Sequence, residues 1–317
     1  MMTYAPEQLA ALAAVVSEGT FDAAARLLHV TPSAVSQRIK ALEEQVGRVL
    51  VLRSRPCRAT PAGEVLVRLA GQVELLAADA RAELGAEHSG MVRLAVAVNA
   101  DSLSTWFPAS LVGLPDGVLV DLLRHDQDRS ARLLRDGAVM AAVTADERAV
   151  QGCRVRPLGS MRYLAVASPA ARAARFPAGL TREAFAAAPQ LAFDRVDALQ
   201  RRFVAEMVGE GLEPPVHHVP ESAAFVEVLR SGLGWGMAPE QAVTRDVAAG
   251  SLVDLAPGRF LDVPLFWQSW ALRTPTLDDL TTRVVAAAAG ALHSWTAPGR
   301  ARRRPEGGAG PADLTAF

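Results

Sequence analysis

From the N-terminus, apolar residues recur with helical spacing in three short runs. Leu9, Leu12, Ala13 and Val16 share one side of a helix predicted over Pro6–Glu18, and Gly19 closes it. Thr20 then caps FDAAARLL, and a third helix is predicted from Thr31-Pro32 to Gly47. Within that third helix Val35, Ile39, Leu42 and Val46 form an apolar face, whereas Ser33, Ser36, Gln37 and Lys40 form a short polar one. Short polar side chains at the front of a helix suit close approach to something flat and polar. Two short helices joined by a tight turn, the second carrying such a face, predict a helix-turn-helix. The stretch VLVLRSRPCRATPAG that follows, an apolar run with an Arg-rich turn and a helix start, predicts a wing. From Ala62 to Glu87 no proline interrupts, and Leu66, Leu69, Val73, Leu76 and Ala80 alternate by three and four. A helix of about 26 residues would extend roughly 39 Å, more than a small domain can cover. The stripe therefore predicts pairing with a second copy.

Past His88-Ser89-Gly90 the pattern changes, which marks a linker. Strand-like VRLAVAV, VLVDLL and AVMAAVT alternate with helices predicted over Ser102–Val112 and Arg129–Arg135. The alternation resumes with QLAFD, a helix over Ala198–Val208, VHHVP, a helix over Ser222–Arg230 and a helix opened by Pro239. Such alternation predicts parallel strands with crossover helices, arranged as two α/β halves.

Composition adds little until charge is divided along the chain. The 317 residues allow two or three domains, and half of them are hydrophobic. The longest apolar stretch, Val284–Leu292, is too short to span a membrane, and MMTYAPEQ lacks the features of a secretion signal, so a cytoplasmic location is expected. Cys57 and Cys153 lie far apart and suit free thiols. The adjacent His217 and His218 would point to opposite faces of a strand, so no metal site is expected. Residues 26–58 carry seven basic and two acidic side chains although the whole chain is formally −1. A local basic patch on a near-neutral protein fits a small nucleic-acid reader attached to something that is not one. No GxSxG, GxxxxGK[ST], GxGxxG or HExxH motif occurs, so an enzyme is not expected. The Pro/Gly/Ala-rich stretch 297–317 around RARRR predicts a disordered tail.

The succession FDAAARLLHVTPSAVSQRIKALEEQVGRVLVLRSRPCRATPAG resembles the N-terminal domain of LysR-type transcriptional regulators. The resemblance implies a winged helix-turn-helix over 1–61, all-α with a small wing, and a linker and dimerisation helix over 62–90. It further implies a periplasmic-binding-protein-like effector domain over 91–296, so that the protein is α/β overall. In that domain subdomain I is 91–164 with 267–296, subdomain II is 165–266, and the chain crosses near Tyr163–Val166 and Pro264–Gln268. A recognition helix in the major groove would bring Ser33, Ser36 and Gln37 near base edges or phosphates, and Arg53 onto the backbone or minor groove. Thr31, Arg38, Lys40 and Arg55 complete the expected DNA-binding set.

A ligand in such a domain binds between the halves, where strand ends meet helix N-termini. Ser102, expected as a helix cap, and Thr144 would suit a carboxylate, while Asp101, Asp126, Asp194 and Glu221 would suit an ammonium or guanidinium group. Ser222 begins the helix that carries Phe225. The runs VAVNADSLSTWF, LAFDRVDALQRRF and PESAAF before GLGWGM resemble the ArgP/LysG branch of the family. Members of that branch sense lysine or arginine and are implicated in basic amino-acid export, and some are described as inhibitors of chromosome initiation. Glu221-Ser222 departs from the paired serines common there, which bears on ligand choice. The expected protein is thus a one-component regulator with no cofactor and a lysine or arginine effector. Its expected partners are double-stranded DNA, a second copy of the chain with a tetramer left open, and RNA polymerase as a further candidate. A regulator answering another metabolite, or an architectural DNA-binding protein with a vestigial second domain, are the rivals.

Overall fold

A computed structural model describes residues 4–84, 91–124 and 127–295. The first unit packs α1 (Pro6–Glu18), α2 (Phe21–Leu27) and α3 (Pro32–Val46) against a hairpin of β1 (Val51–Leu52) and β2 (Arg58–Ala59). Leu12, Val15, Val35, Ile39, Leu42 and Leu50 form its core. The helix ends are locally encoded. The hydroxyls of Thr20 and Thr31 accept from the Ala23 and Ala34 amides, and Gly19 and Gly47 adopt the left-handed conformation that closes α1 and α3. Glu43 on α3 accepts from the Leu50 amide at 2.8 Å and from the Val51 amide at 3.3 Å, which fastens the hairpin to the helix before it.

One helix, α4 (Pro61–Glu83), joins this unit to the rest. Gly63 near its start lies so close to the hairpin that a Cβ there would sit 2.1 Å from the Leu50 carbonyl oxygen, which explains the glycine in TPAG. Leu66 and Ala70 enter the first core, whereas Leu75 enters the second, so successive turns bury different faces in different units. A Cβ on Gly71 would lie 3.0 Å from the Trp270 ring, and Thr276 donates a hydrogen bond to Asp79. The expected pairing stripe is therefore partly consumed within the chain: Leu66 is buried, Leu69 and Val73 are half-buried against the first core, and Leu76 and Ala80 remain exposed.

The second unit is built on one sheet. Its first strands are β3 (Val92–Val98), β4 (Val118–Arg124) and β5 (Ala141–Thr144), with α5 (Ala100–Ser104), a 3-10 turn (Phe107–Leu111) and α6 (Gln127–Asp136) between them. The long β6 (Cys153–Ala167) leads through α7 (Pro169–Arg175) and α8 (Arg182–Ala187) to β7 (Gln190–Ala192), α9 (Leu199–Val208) and β8 (Val216–His218). After α10 (Ser222–Ser231), β9 (Trp235–Pro239), α11 (Glu240–Ala249) and β10 (Val253–Asp254), the long β11 (Phe260–Trp270) returns to α12 (Pro275–Ala291). The strand order is β4-β3-β5-β11-β6-β9-β7-β8, with β10 on β6. Parallel pairs form each flank, β4-β3-β5 and β9-β7-β8, while β6 and β11 run antiparallel through the middle. Tyr163–Val166 lies where β6 pairs with β9, and the β11 register slips at Leu265/Phe266. Parallel alternation alone did not predict this antiparallel pair, because strands bridging both halves leave no local helix signal.

One expected cap is corrected, and the start of α10 lies where it was expected. The helix expected over Ser102–Val112 is the five-residue α5 followed by the 3-10 turn, since Pro108 supplies no N–H to an α-helix. The helix also starts earlier than expected, at Ala100 with Asn99 at its N-cap, so Ser102 is its third residue. At α10 the cap is Glu221, whose carboxylate accepts from the Ala223 and Ala224 amides, and Ser222 is the first helical residue.

Candidate functional site

Two surfaces concentrate functional chemistry. On the first unit, the apolar face of α3 is buried and the opposite face is open: Ser33, Gln37 and Lys40 are exposed, Ser36 and Arg38 half-buried. The hairpin adds the exposed Arg53, Arg55 and Arg58, and the Arg53 guanidinium lies 5.3 Å from the Phe21 ring centroid. Not every side chain on this face is equally available. Thr31 has its hydroxyl oxygen engaged as the helix cap, and Lys40 lies 3.7 Å from Glu44 on an exposed turn. Arg58 was missing from the expected set because its position across from Leu52 depends on the β1–β2 pairing.

The second surface is a concave cleft of about 320 Å³ between the two halves of the sheet unit. Asn99 and Asp101 reach it from the end of β3, Phe193, Asp194 and Asp197 from the loop after β7, and Ser222 and Phe225 from α10. At its centre the buried Asp101 carboxylate accepts from the Tyr163 hydroxyl at 2.6 Å and from the Ser222 hydroxyl at 3.0 Å. That one carboxylate ties α5, β6 and α10 together. Burial holds its pKa above the ordinary aspartate value; the Tyr163 and Ser222 hydrogen bonds oppose the shift and the charge of Asp197 adds to it. Tyr163 is pushed up in turn, by burial first and by Asp101 second. Asn99 Oδ1 is buried without a protein partner. Phe193, Phe225 and Met237 supply apolar wall, and among the described residues Arg202 is the basic side chain on the lining.

Of the expected effector residues, Asp101, Asp194, Ser222 and Phe225 meet in this cleft. Asp194 also serves its own loop, accepting from the Val196 and Asp197 amides at 2.8 and 2.9 Å. Thr144 is placed elsewhere, accepting from the Asp146 amide, because β5 ends away from the lining. Ser102 is fully buried with its hydroxyl unpartnered, and neither it nor Thr144 lies on the lining. Glu221 is exposed, its pKa lowered by the α10 amides it caps, and it too stands off the lining. Asp126 lies outside the described residues. The cleft adds Tyr163, Asp197, Asn99 and Arg202. Tyr163 carried a usable signal, since it falls on the predicted crossing strand, whereas Arg202 becomes visible only once α9 is placed against the loop. Among the described residues there is no group of three His, Cys, Asp or Glu fit to hold a metal ion, and no helix long and apolar enough to cross a membrane.

Comparison with known proteins bears on both surfaces. Residues 6–64 match the bacterial regulatory helix-turn-helix of the lysR family, and residues 85–289 match the LysR substrate binding domain. The lysine export transcriptional regulatory protein LysG of Corynebacterium glutamicum is 43% identical over 288 residues, covering 89% of this chain and 97% of that protein. The crystal structure of ArgP from Mycobacterium tuberculosis aligns with a TM-score of 0.85 at 51% identity, over 93% of this chain and 100% of that one. Full-length LysG from Corynebacterium glutamicum with bound effector Arg aligns with a TM-score of 0.74 at 39% identity, over 91% and 99%.

Proposed function

Because the chain belongs to the LysR family of bacterial transcriptional regulators, we propose that its cleft binds a basic amino acid, arginine or lysine, and that this binding controls a gene for basic amino-acid export. The observation that carries the reading is Asp101, a largely buried carboxylate that joins both halves of the cleft through the Tyr163 and Ser222 hydroxyls, with a hydrogen bond to no basic side chain among the described residues. A buried carboxylate is costly without a positive partner, and a guanidinium or ammonium group supplies one. The unpartnered Asn99 Oδ1 accepts a further N–H of the same ligand. The ligand carboxylate goes to Arg202, since Glu221 occupies the first free amides of α10 and α5 is a single turn. The aliphatic stem lies along Phe193, Phe225 and Met237.

Ligand binding changes DNA binding only if one arrangement of the halves is preferred over the other. Asp101 bonds to residues of both halves, so a cation placed there acts on the contact between them. On the first unit Ser33, Ser36 and Gln37 read base edges while Arg53 and Arg55 hold phosphate. The exposed end of the α4 stripe, Leu76 and Ala80, pairs with a second copy so that two recognition helices meet two half-sites. The export reading rests on the Corynebacterium relative named above. Isothermal titration with arginine, lysine and glutamate, followed by footprinting of the upstream region with and without the binder, tests it. Saturable heat from a basic amino acid and a changed footprint are expected; an unchanged footprint and no heat from either basic amino acid would sink the effector assignment.

A further inference from the structure

A second cavity, of about 680 Å³, lies on the other side of the loop that walls the effector cleft. Asp194, Asp197 and Arg202 line both. Its remaining walls come from β7, α9, the stretch 209–214 and the edge strand β8. The stretch after α9 is held in place by Arg182, whose guanidinium donates to the Val208 carbonyl at 3.1 Å and to the Glu210 carbonyl at 3.0 Å.

Two amide side chains on the lining stand out energetically. Gln200 is 1% exposed and neither its Oε1 nor its Nε2 has a protein partner. Gln190 is 8% exposed and its Oε1 likewise has none. Buried polar atoms without partners are costly, and an aliphatic side chain of equal volume would serve mere packing better. Together the orphaned atoms call for a group with two donors and one acceptor. An ammonium would leave Gln200 Nε2 unpaired, and a carboxylate would leave both oxygens unpaired. A primary carboxamide matches: its two N–H bonds can go to Gln200 Oε1 and Gln190 Oε1, and its carbonyl can accept from Gln200 Nε2. At the rim, the exposed Arg195 and Arg201 suit a carboxylate and the exposed Glu210 and Glu213 suit an ammonium. We propose that this cavity is a second small-molecule site, for a zwitterion bearing a primary carboxamide, the class of glutamine and asparagine.

The test is titration calorimetry of the full chain with L-glutamine and L-asparagine, using L-glutamate and L-aspartate as partners that lack the amide. Saturable heat from an amide, with the matching acid at least about tenfold weaker, is expected. Gln200→Met should lose about tenfold in amide affinity, keep its arginine heat and melt at higher temperature than the parent, because the orphaned amide is gone. Ala205→Trp, which fills the cavity from α9, provides a second variant and should abolish the amide heat. Absence of saturation by both amides, equal binding of amides and acids, or parental glutamine affinity in Gln200→Met would overturn the proposal. The glutamine titration stands independently of any response to arginine, so the two readings fail separately.

Discussion

The α3 face and the effector cleft are opposite solutions to binding a charged partner. On α3 and the hairpin, basic and polar side chains stand in water, so their pull on a polyanion is long-ranged and screened by salt. In the cleft, Asp101 is withdrawn from water and held by two hydroxyls, so its attraction is short-ranged and governed by protonation. The first surface should therefore answer to ionic strength and the second to pH.

Asp101→Asn should show the largest effect, a loss of about 100-fold or more in affinity for a basic amino acid by calorimetry, with the salt slope of DNA binding unchanged. A changed slope would mean that the two surfaces are not separable. The parent protein should lose affinity as pH falls through the raised pKa of Asp101, because binding a cation requires the ionised form. In the unliganded protein the sign reverses. A carboxyl with a raised folded pKa favours folding while protonated and loses that contribution as pH rises from the unfolded value through the folded one. Asp101→Asn should consequently raise the melting temperature near neutral pH, and the gain should vanish in acid.

Tyr163→Phe should come next, with about tenfold weaker binding and a pH midpoint moved upward, since the hydrogen bond that favours the ionised acid is lost. A downward midpoint would assign Tyr163 a different role. Arg53→Ala should weaken binding to every duplex alike and lower the salt slope by about one unit, leaving calorimetric binding of the amino acid untouched. The smallest effect belongs to Glu44→Gln, which breaks an exposed pair on α3 and should alter folding stability by no more than about 0.5 kcal/mol in chemical denaturation.

How much of this was legible in the sequence follows from chain distance. The ends of α3 could be read because a capping threonine, a proline and a glycine act within a few residues of where they stand. Asp101 and Asp194 could be nominated from strand ends, but not the bond from Ser222 to Asp101, which joins residues 121 positions apart. Ser102 and Thr144 were each placed by a strand end or helix start alone, whereas α5 begins at Ala100 with Asn99 at its cap, and the Thr144 hydroxyl accepts from the Asp146 amide off the lining. Along α4, a regular stripe implied one partner, yet the side chains of Leu66 and Leu75 point into different cores because successive turns present different faces.

That division of α4 carries a mechanical consequence. Its first turns are set in the DNA-reading unit while Gly71 and Asp79 seat it against Trp270 and Thr276, so the reading head is bolted to one jaw of the cleft rather than hung between the two. A tilt of that jaw would carry the reading head with it.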